Sequence, residues 1–230
     1  YCSYIDDGTL SYYDQPNFKT PYLKYIQRKI HYGWWYKRPG LLGEIPWLKR
    51  GFVFSSKYAN AHLQLVELIE LDESYFNNDS LEHLVKTFLT LISFDMESWM
   101  RRKNVLVLSR INVLEKHCPR YSWKVKEKIV SWENEDSDIW VKYHPRELTE
   151  DPLMLKGLSE RLKIIPPGIP FEMLLPGMSD VDKLSGDIST VLMDAKLQHP
   201  KMYVESTICK SSFDNLVIFF RKIGVKIKLF

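Results

Sequence analysis

A histidine followed by a proline, His144-Pro145, is the part of this sequence whose residue types are best suited to chemistry. It directly follows residues 137–141, whose β-branched and aromatic content predicts a short buried strand. Ligands bind at the carboxyl ends of the strands in an open α/β sheet, so His144 is expected to face a crevice. Lys142 lies two residues earlier on the same strand face, and Arg146 follows the proline. These cations suit a phosphate-bearing ligand, although a surface turn with chance basic residues has the same composition.

Two adjacent carboxylates, Asp6 and Asp7, precede Gly8 near the start of the chain. Residues 1–5 before them predict the end of a strand. A carboxylate beside a second one in a crevice can serve as a general base, whereas the same three residues are also typical of a structural Asp-Gly turn. Because strands of doubly wound sheets do not usually stand alone, we expect further strand and helix units upstream of residue 1.

Two more polar features follow the histidine. Glu172 lies in the first turn of a helix that Pro170 opens, and ordinary complementarity to the helix dipole is sufficient to explain a carboxylate there. Ser189 and Thr190 stand where another helix is predicted to begin. Hydroxyls and backbone N–H groups at a helix start can bind a phosphate, and they serve equally well as plain N-caps.

The elements that would position these residues alternate along the second half of the chain. They are predicted at residues 105–108 (strand), 121–133 (helix), 137–141 (strand), about 153–162 (helix), 171–175 (helix), 216–222 (helix) and 225–230 (strand). Strands that alternate with helices at this spacing predict parallel βαβ units, and therefore an α/β protein with a Rossmann-like sheet.

The first half of the chain is rich in aromatic residues. Residues 22–30 have helical spacing of apolar side chains, residues 51–54 and 63–69 predict short strands, and residues 81–91 predict a capped helix. The tryptophans between the first helix and the first of these strands could stack on a sugar ring, but large aromatic side chains more often pack in a core.

Composition excludes several classes of protein. With 230 residues, 45% of them hydrophobic, the chain can bury a sizeable core. A net charge of +3 from 32 basic and 29 acidic side chains argues against a nucleic-acid binder with a broad basic face. The three cysteines are few and widely spaced, so we expect a reducing compartment and no disulfide framework. No apolar run approaches the roughly 18 residues needed to span a bilayer.

The joint arrangement of these motifs resembles bacterial sialyltransferases of the GT-B architecture. That family is marked by an acidic-acidic-Gly motif, a later His-Pro motif and a Ser-Ser or Ser-Thr pair. Its lipooligosaccharide sialyltransferases and capsule polysialyltransferases, of the glycosyltransferase family 52 type, are the most similar. The residues that carry the resemblance are Asp6-Asp7-Gly8, Lys142, His144-Pro145, Pro170-Phe171-Glu172 and Ser189-Thr190. The resemblance extends over nearly the whole chain, without the family's first β/α units.

The resemblance implies an inverting glycosyltransferase of the GT-B type, with a Rossmann-like C-terminal nucleotide-binding domain and an incomplete N-terminal acceptor-side domain. Residues 1–100 would be a partial acceptor-side region that carries the base, and residues 101–230 would be a Rossmann-like domain that binds the CMP-sugar. The donor would be CMP-sialic acid and the acceptor a glycan, with a β-galactoside of lipooligosaccharide or capsule as our first expectation. No cofactor, obligatory metal or nucleic acid is expected. A cytoplasmic location is expected. Peripheral contact with the inner face of the membrane is left open, as is the oligomeric state.

The resemblance also implies a role for each acid and base. Asp6 would remove the proton from the acceptor hydroxyl, with Asp7 as its neighbour. His144 would stabilise or protonate the departing CMP phosphate, and Lys142 would help to anchor the nucleotide.

Four further residues would bind the nucleotide. Ser189 and Thr190 would hold the phosphate at a helix start. Glu172, which follows Pro170 in the family's motif, would accept a hydrogen bond from the cytosine amino group.

Two other interpretations compete with sialyl transfer. The Lys-x-His-Pro signal and residues 186–190 also resemble CDP-glycerol glycerophosphotransferases, which share a GT-B half for a cytidine nucleotide. The chain could instead be a non-catalytic fragment that binds a nucleotide or a glycan. Asp6-Asp7-Gly8 favours sialyl transfer over glycerophosphate transfer. An enzyme is favoured over a binding module, because acid, base and phosphate-site candidates occur in an order that makes mechanistic sense.

Overall fold

The protein consists of two compact units in a computed structural model. The structure describes residues 2–6, 11–12, 22–34, 47–71, 79–208 and 214–229. Unit 1 comprises residues 1–72 and 213–219, and unit 2 comprises residues 73–212 and 220–230. The domain bounds 1–100 and 101–230 stay a prediction. None of the helices within the described ranges combines the length and apolar character that a bilayer crossing demands.

Unit 1 contains a three-stranded parallel sheet in the order β1-β2-β3. Its elements are β1 (Cys2–Ile5), α1 (Tyr22–Tyr32), β2 (Leu48–Val53) and β3 (Glu67–Glu70), with 3₁₀ helices at Ser56–Tyr58 and Leu63–Leu65. The small core beside the sheet includes Leu48, Val53 and Leu63. The predicted strand at the start of the chain and the helix from residue 22 are thereby confirmed.

The single strand predicted over residues 63–69 is wrong in its first half. The Asn60 side chain accepts hydrogen bonds from the backbone N–H groups of His62 and Leu63, both at 3.1 Å, and this turn leads into the 3₁₀ helix. Local hydrogen bonding by an Asn side chain competes with strand formation in this way. The strand therefore begins only at Glu67.

Unit 2 is built on a six-stranded, all-parallel sheet in the order β6-β5-β4-β7-β8-β9. Its strands are β4 (Lys103–Val107), β5 (Asp138–Lys142), β6 (Leu162–Ile164), β7 (Lys183–Asp187), β8 (Tyr203–Ile208) and β9 (Lys226–Leu229). Counted within this unit, the order is that of a doubly wound Rossmann sheet, which reverses direction between its first and fourth strands. The predicted α/β class is confirmed, and the reversal lies between β4 and β7.

The helices of unit 2 include α2 (Asp79–Leu91), α3 (Met96–Trp99), α4 (Ile111–His117), α5 (Tyr121–Trp132) and α6 (Thr190–Gln198). Helix α7 (Asp214–Lys222) contributes residues to both units. The buried side chains of α5 recur every three or four residues, as expected of a helix that packs on a sheet. They pack with buried residues of β4, β5 and β6 in one apolar cluster.

Two expectations from the sequence are wrong. The helix predicted at 153–162 is replaced by a 3₁₀ helix at Leu155–Leu158 followed by β6, because Met154 adopts a left-handed conformation with φ 55° that an α-helix cannot continue. Cys118 is disulfide-bonded, against the expectation of no disulfide, so the cysteines no longer argue for a reducing compartment. Cys2 is a free and exposed thiol.

Gly186 permits the close approach of β7 to β4. It pairs with Val107, and a Cβ atom added at Gly186 would lie 2.4 Å from the Val107 carbonyl oxygen. Such a contact with backbone cannot be relieved by a rotamer change, so an alanine here must push the two strands apart.

We therefore expect Gly186→Ala to lower the free energy of unfolding by about 1–3 kcal/mol, the usual cost of overpacking. Urea denaturation measures this change. Gly157→Ala is the matched control, because nothing lies within 4 Å of a Cβ atom added there. Equal stability of the two variants would contradict the close packing of β4 on β7.

Candidate functional site

A cavity of about 470 Å³ opens at the carboxyl ends of the unit 2 strands. It is lined by the ends of β4 and β5, by the segment after β6 and by the start of α6. This is the point where the strand order reverses, the usual place for a ligand in a doubly wound fold. Five predicted site residues line it, namely Lys142, His144, Pro170, Glu172 and Ser189.

His144 follows β5 and is half-buried at the cavity wall. Its Nδ1 atom accepts a hydrogen bond of 3.1 Å from the backbone N–H of Arg146. Burial and the nearby charge of Arg146 lower the pKa of His144. The imidazole is therefore neutral near pH 7 and carries its hydrogen on Nε2, because Nδ1 is occupied as an acceptor. Such a ring can donate an Nε2–H hydrogen bond to an anionic oxygen.

Lys142 is the last residue of β5 and is buried. Its ammonium group donates to the carbonyl oxygens of Pro166 at 2.7 Å and Pro167 at 3.0 Å. Burial lowers the pKa of Lys142 to about 8, and the charge of Glu172 partly opposes this shift. Since both acceptors are neutral carbonyls, an anion in the cavity would stabilise the charged form of this lysine. The third ammonium hydrogen is the one suited to such an anion.

Ser189 stands at the N-cap of α6, yet its side chain does not cap the helix. Its Oγ atom is buried, and no hydrogen-bond partner for it lies within the described ranges. A buried hydroxyl without a partner is costly, and it lines the cavity at the positive end of a helix. This combination suits a phosphate oxygen. Thr190 is the first residue of α6 but is not part of the cavity lining.

Pro170 and Glu172 belong to the segment after β6. The predicted helix is a 3₁₀ helix over Phe171–Gly177, with Pro170 at its N-cap and Pro176 inside it. Glu172 is exposed at the cavity wall, so its carboxylate is accessible to a ligand with hydrogen-bond donors.

Asp187, at the end of β7, was given no role in the sequence-based prediction. Its Oδ2 atom accepts hydrogen bonds from the backbone N–H of Ser109 at 2.8 Å and from the Tyr121 hydroxyl at 2.7 Å. Burial raises the pKa of Asp187 to about 6, although both hydrogen bonds lower it. The carboxyl group thus ties the end of β7 to the loop after β4, which lines the cavity. Its only sequence signal is an acidic residue two positions before Ser189.

Asp6 lies in unit 1, directly after β1. Its Oδ1 atom accepts a hydrogen bond of 2.5 Å from the Ser11 hydroxyl, and its Oδ2 atom accepts one from the Tyr12 hydroxyl and one of 3.1 Å from the backbone N–H of Phe54. These donors fix the orientation of the carboxylate. Neither Ser11 nor Tyr12 was predicted from the sequence to have this role. Asp7, its predicted neighbour, lies outside the described residues.

Tyr12 is itself held firmly in unit 1. It is fully buried, and its ring stacks on Phe219 with the centroids 4.2 Å apart. Its hydroxyl oxygen accepts hydrogen bonds from the backbone N–H groups of Phe54 at 2.9 Å and Ser55 at 3.2 Å. Burial raises the pKa of Tyr12, and the charge of Asp6 adds to that shift, so this hydroxyl stays a donor to the carboxylate.

Metal ligands were not expected, and metal independence stays a prediction. Within the part of the chain that the structure describes, no group of three or more His, Cys, Asp or Glu side chains is placed to hold an ion.

Comparison with known proteins identifies the architecture. No protein-family model matches the chain, and no curated protein matches it. Among solved structures, the chain is similar to the GT-B domain, residues 113–497, of a sialyltransferase from Photobacterium damselae. The TM-score is 0.54 at 20% sequence identity, over 99% of this chain and 70% of that one. The chain therefore has a GT-B fold, as the sequence predicted.

The Asp187 carboxyl predicts a measurable pH dependence of stability. Its pKa in the folded protein, about 6, is above the ordinary value of 3.8. Its contribution to stability is therefore complete below pH 3.8 and is lost as the pH rises through about 6. Between these limits, we expect the unfolding free energy of the wild type to fall relative to that of Asp187→Asn by on the order of 3 kcal/mol.

Urea denaturation at several pH values measures this difference. Asp180→Asn serves as the control, because it removes an exposed carboxyl group from the same unit. A difference between the wild type and Asp187→Asn that stayed constant with pH would contradict the buried carboxyl described here.

Proposed function

We propose that the protein is an inverting glycosyltransferase that moves sialic acid from CMP-sialic acid to a glycan hydroxyl. The observation that carries this proposal is the cavity at the β4/β7 reversal. It is lined by a buried lysine, a neutral histidine and a serine hydroxyl that has no hydrogen-bond partner within the described ranges. All three are donors. A phosphate group is the common ligand that satisfies donors placed around one cavity.

Glu172 would bind the cytosine base of the donor, and Ser189 would bind its phosphate. Glu172 is acceptor-only when ionised, so it suits the amino group of cytosine and not the carbonyl of uracil at the same position. Ser189 and the N-terminus of α6 would bind the phosphate. Thr190, which belongs to the motif shared with the family, would contribute to phosphate binding only from outside the cavity lining. The ammonium group of Lys142 would balance the negative charge of the phosphate.

The transfer step would break the bond between the anomeric carbon and the phosphate oxygen as the acceptor hydroxyl attacks from the opposite face. CMP leaves with the bonding electrons, and the acceptor loses a proton. His144 would stabilise the departing phosphate through its Nε2–H, and the growing negative charge there raises the tendency of the ring to take up a proton. Asp6 would take up the proton that the acceptor loses, and hydrogen bonds from Ser11 and Tyr12 hold its carboxylate in place.

A glycan of lipooligosaccharide or capsule, such as a β-galactoside, remains the proposed acceptor class. The proposed chemistry uses no metal, since the hydrogen-bond donors around the cavity would stabilise the negative charge of the departing phosphate. Location at the cytoplasmic side, where CMP-sugars are made, belongs to the same proposal.

We expect CMP release and formation of a sialylated product when the protein is incubated with CMP-sialic acid and β-galactosides. Asp6→Asn and His144→Ala should each lower kcat by about a hundred- to ten-thousand-fold, because each removes a positioned acid–base group. Glu172→Ala should instead raise the KM for the donor by roughly ten- to a hundredfold, the effect of a lost hydrogen bond to a charged group. Chromatography with mass spectrometry measures both products.

Asp136→Asn and His83→Ala are the matched controls, because both side chains are exposed and lie outside the cavity lining. They should retain full activity. Transfer from CDP-glycerol in place of CMP-sialic acid would replace this function with glycerophosphate transfer. Nucleotide binding without any turnover would indicate a binding module.

A further inference from the structure

Helix α1 presents an apolar stripe that none of the residues described by the structure buries. None of its eleven residues is buried. Tyr22, Leu23 and Ile30 are 76%, 79% and 73% exposed. Tyr22, Ile26 and Ile30 follow each other at intervals of four residues, and Leu23 lies beside them on the same side of the helix. An amphipathic helix of a globular domain would normally turn this stripe to the core.

The charged residues of α1 are all basic. Lys24, Arg28 and Lys29 give the helix a charge of +3 with His31 neutral, and its sequence contains no acidic residue. Lys24 and Arg28 are exposed and stand one turn apart, on a different side from the apolar stripe. A stripe of apolar side chains and a separate basic side on one helix are the features of helices that lie in a membrane interface.

Aromatic side chains mark both ends of the helix. Tyr22 begins α1, and Trp34, which follows its end, is 77% exposed. Lys29 donates a hydrogen bond of 2.9 Å to the Trp34 carbonyl, which fixes the backbone that carries this indole. Tyr and Trp are enriched at the headgroup level of bilayers, because their rings are apolar and carry one polar group.

We propose that α1 docks the protein on an anionic lipid bilayer. The stripe of Tyr22, Leu23, Ile26 and Ile30 enters the boundary between headgroups and acyl chains, and Lys24 and Arg28 meet the lipid phosphates. Charge complementarity favours this partner over a protein groove, because the anionic surface of a bilayer attracts a helix that carries three cations and no carboxylate. The inference goes beyond the proposed function and does not depend on it.

The test is co-sedimentation of the whole protein with vesicles of phosphatidylethanolamine that contain one third phosphatidylglycerol, compared with pure phosphatidylcholine. We expect binding to the anionic vesicles alone, weakened by salt. Each basic residue near such a surface is worth about fivefold in partitioning, so Lys24→Glu with Arg28→Glu should weaken binding by about 30-fold or more. Leu23→Ser with Ile30→Ser should weaken it by more than about tenfold.

Two double variants with the same chemistry elsewhere are the controls. Lys49→Glu with Lys57→Glu reverses two other exposed lysines, and Leu65→Ser with Leu148→Ser removes two other exposed leucines. Both should bind as the wild type does, and circular dichroism verifies that every variant is folded. A second readout needs no α1 variant of uncertain folding: vesicles should shift the tryptophan fluorescence of the wild type to shorter wavelength, and Trp34→Phe should lose most of that shift.

The proposal is overturned if the wild type does not bind the anionic vesicles, or if the α1 variants and their controls bind equally. Equal binding to both kinds of vesicle would also overturn it, because the basic side would then have no role. Binding of α1 to an acidic protein surface would be the interpretation to test next in each of these cases.

Discussion

The buried carboxyl of Asp187 connects the elements that form the candidate site. In a parallel sheet, the chain leaves each strand at the same edge, and the loops after β4 and β7 diverge where the strand order reverses. Asp187 bridges that divergence by accepting from the Ser109 N–H and the Tyr121 hydroxyl. Gly186, one residue earlier, lets the two strands approach closely enough for these bonds to form. The shape of the cavity depends on this connection.

The donors around the cavity follow from the same topology. Lys142 and His144 leave β5 next to β4, and Ser189 begins α6 directly after β7. Burial lowers the pKa of Lys142, and the buried Ser189 hydroxyl has no hydrogen-bond partner among the described residues. An anionic ligand would offset both costs, which is why we propose a phosphate as the occupant of this cavity.

The sequence predicted what local patterns encode. The strand before His144 is a run of β-branched and aromatic residues, and α5 repeats its apolar residues at helical spacing, so both were found.

Strand β7 was missed because its sequence, with charged residues at both ends and Ser-Gly within, has no strand pattern of its own and is stabilised by its neighbours. The Asp187 interactions could not be predicted either, since Ser109 is 78 residues away along the chain. Met154 broke the predicted helix through its backbone conformation, which no residue pattern announced.

The central claim is that the cavity at the β4/β7 reversal binds the phosphate of a cytidine nucleotide. Titration of isotope-labelled protein with CMP, followed through backbone amide chemical shifts, tests it most directly. We expect shifts concentrated at Ser109, His144 and the first turn of α6, with much weaker effects from UMP. Saturating CMP that left these amides unchanged, or shifted only those beside Trp99 at a second cavity of this unit, would contradict nucleotide binding at the β4/β7 reversal.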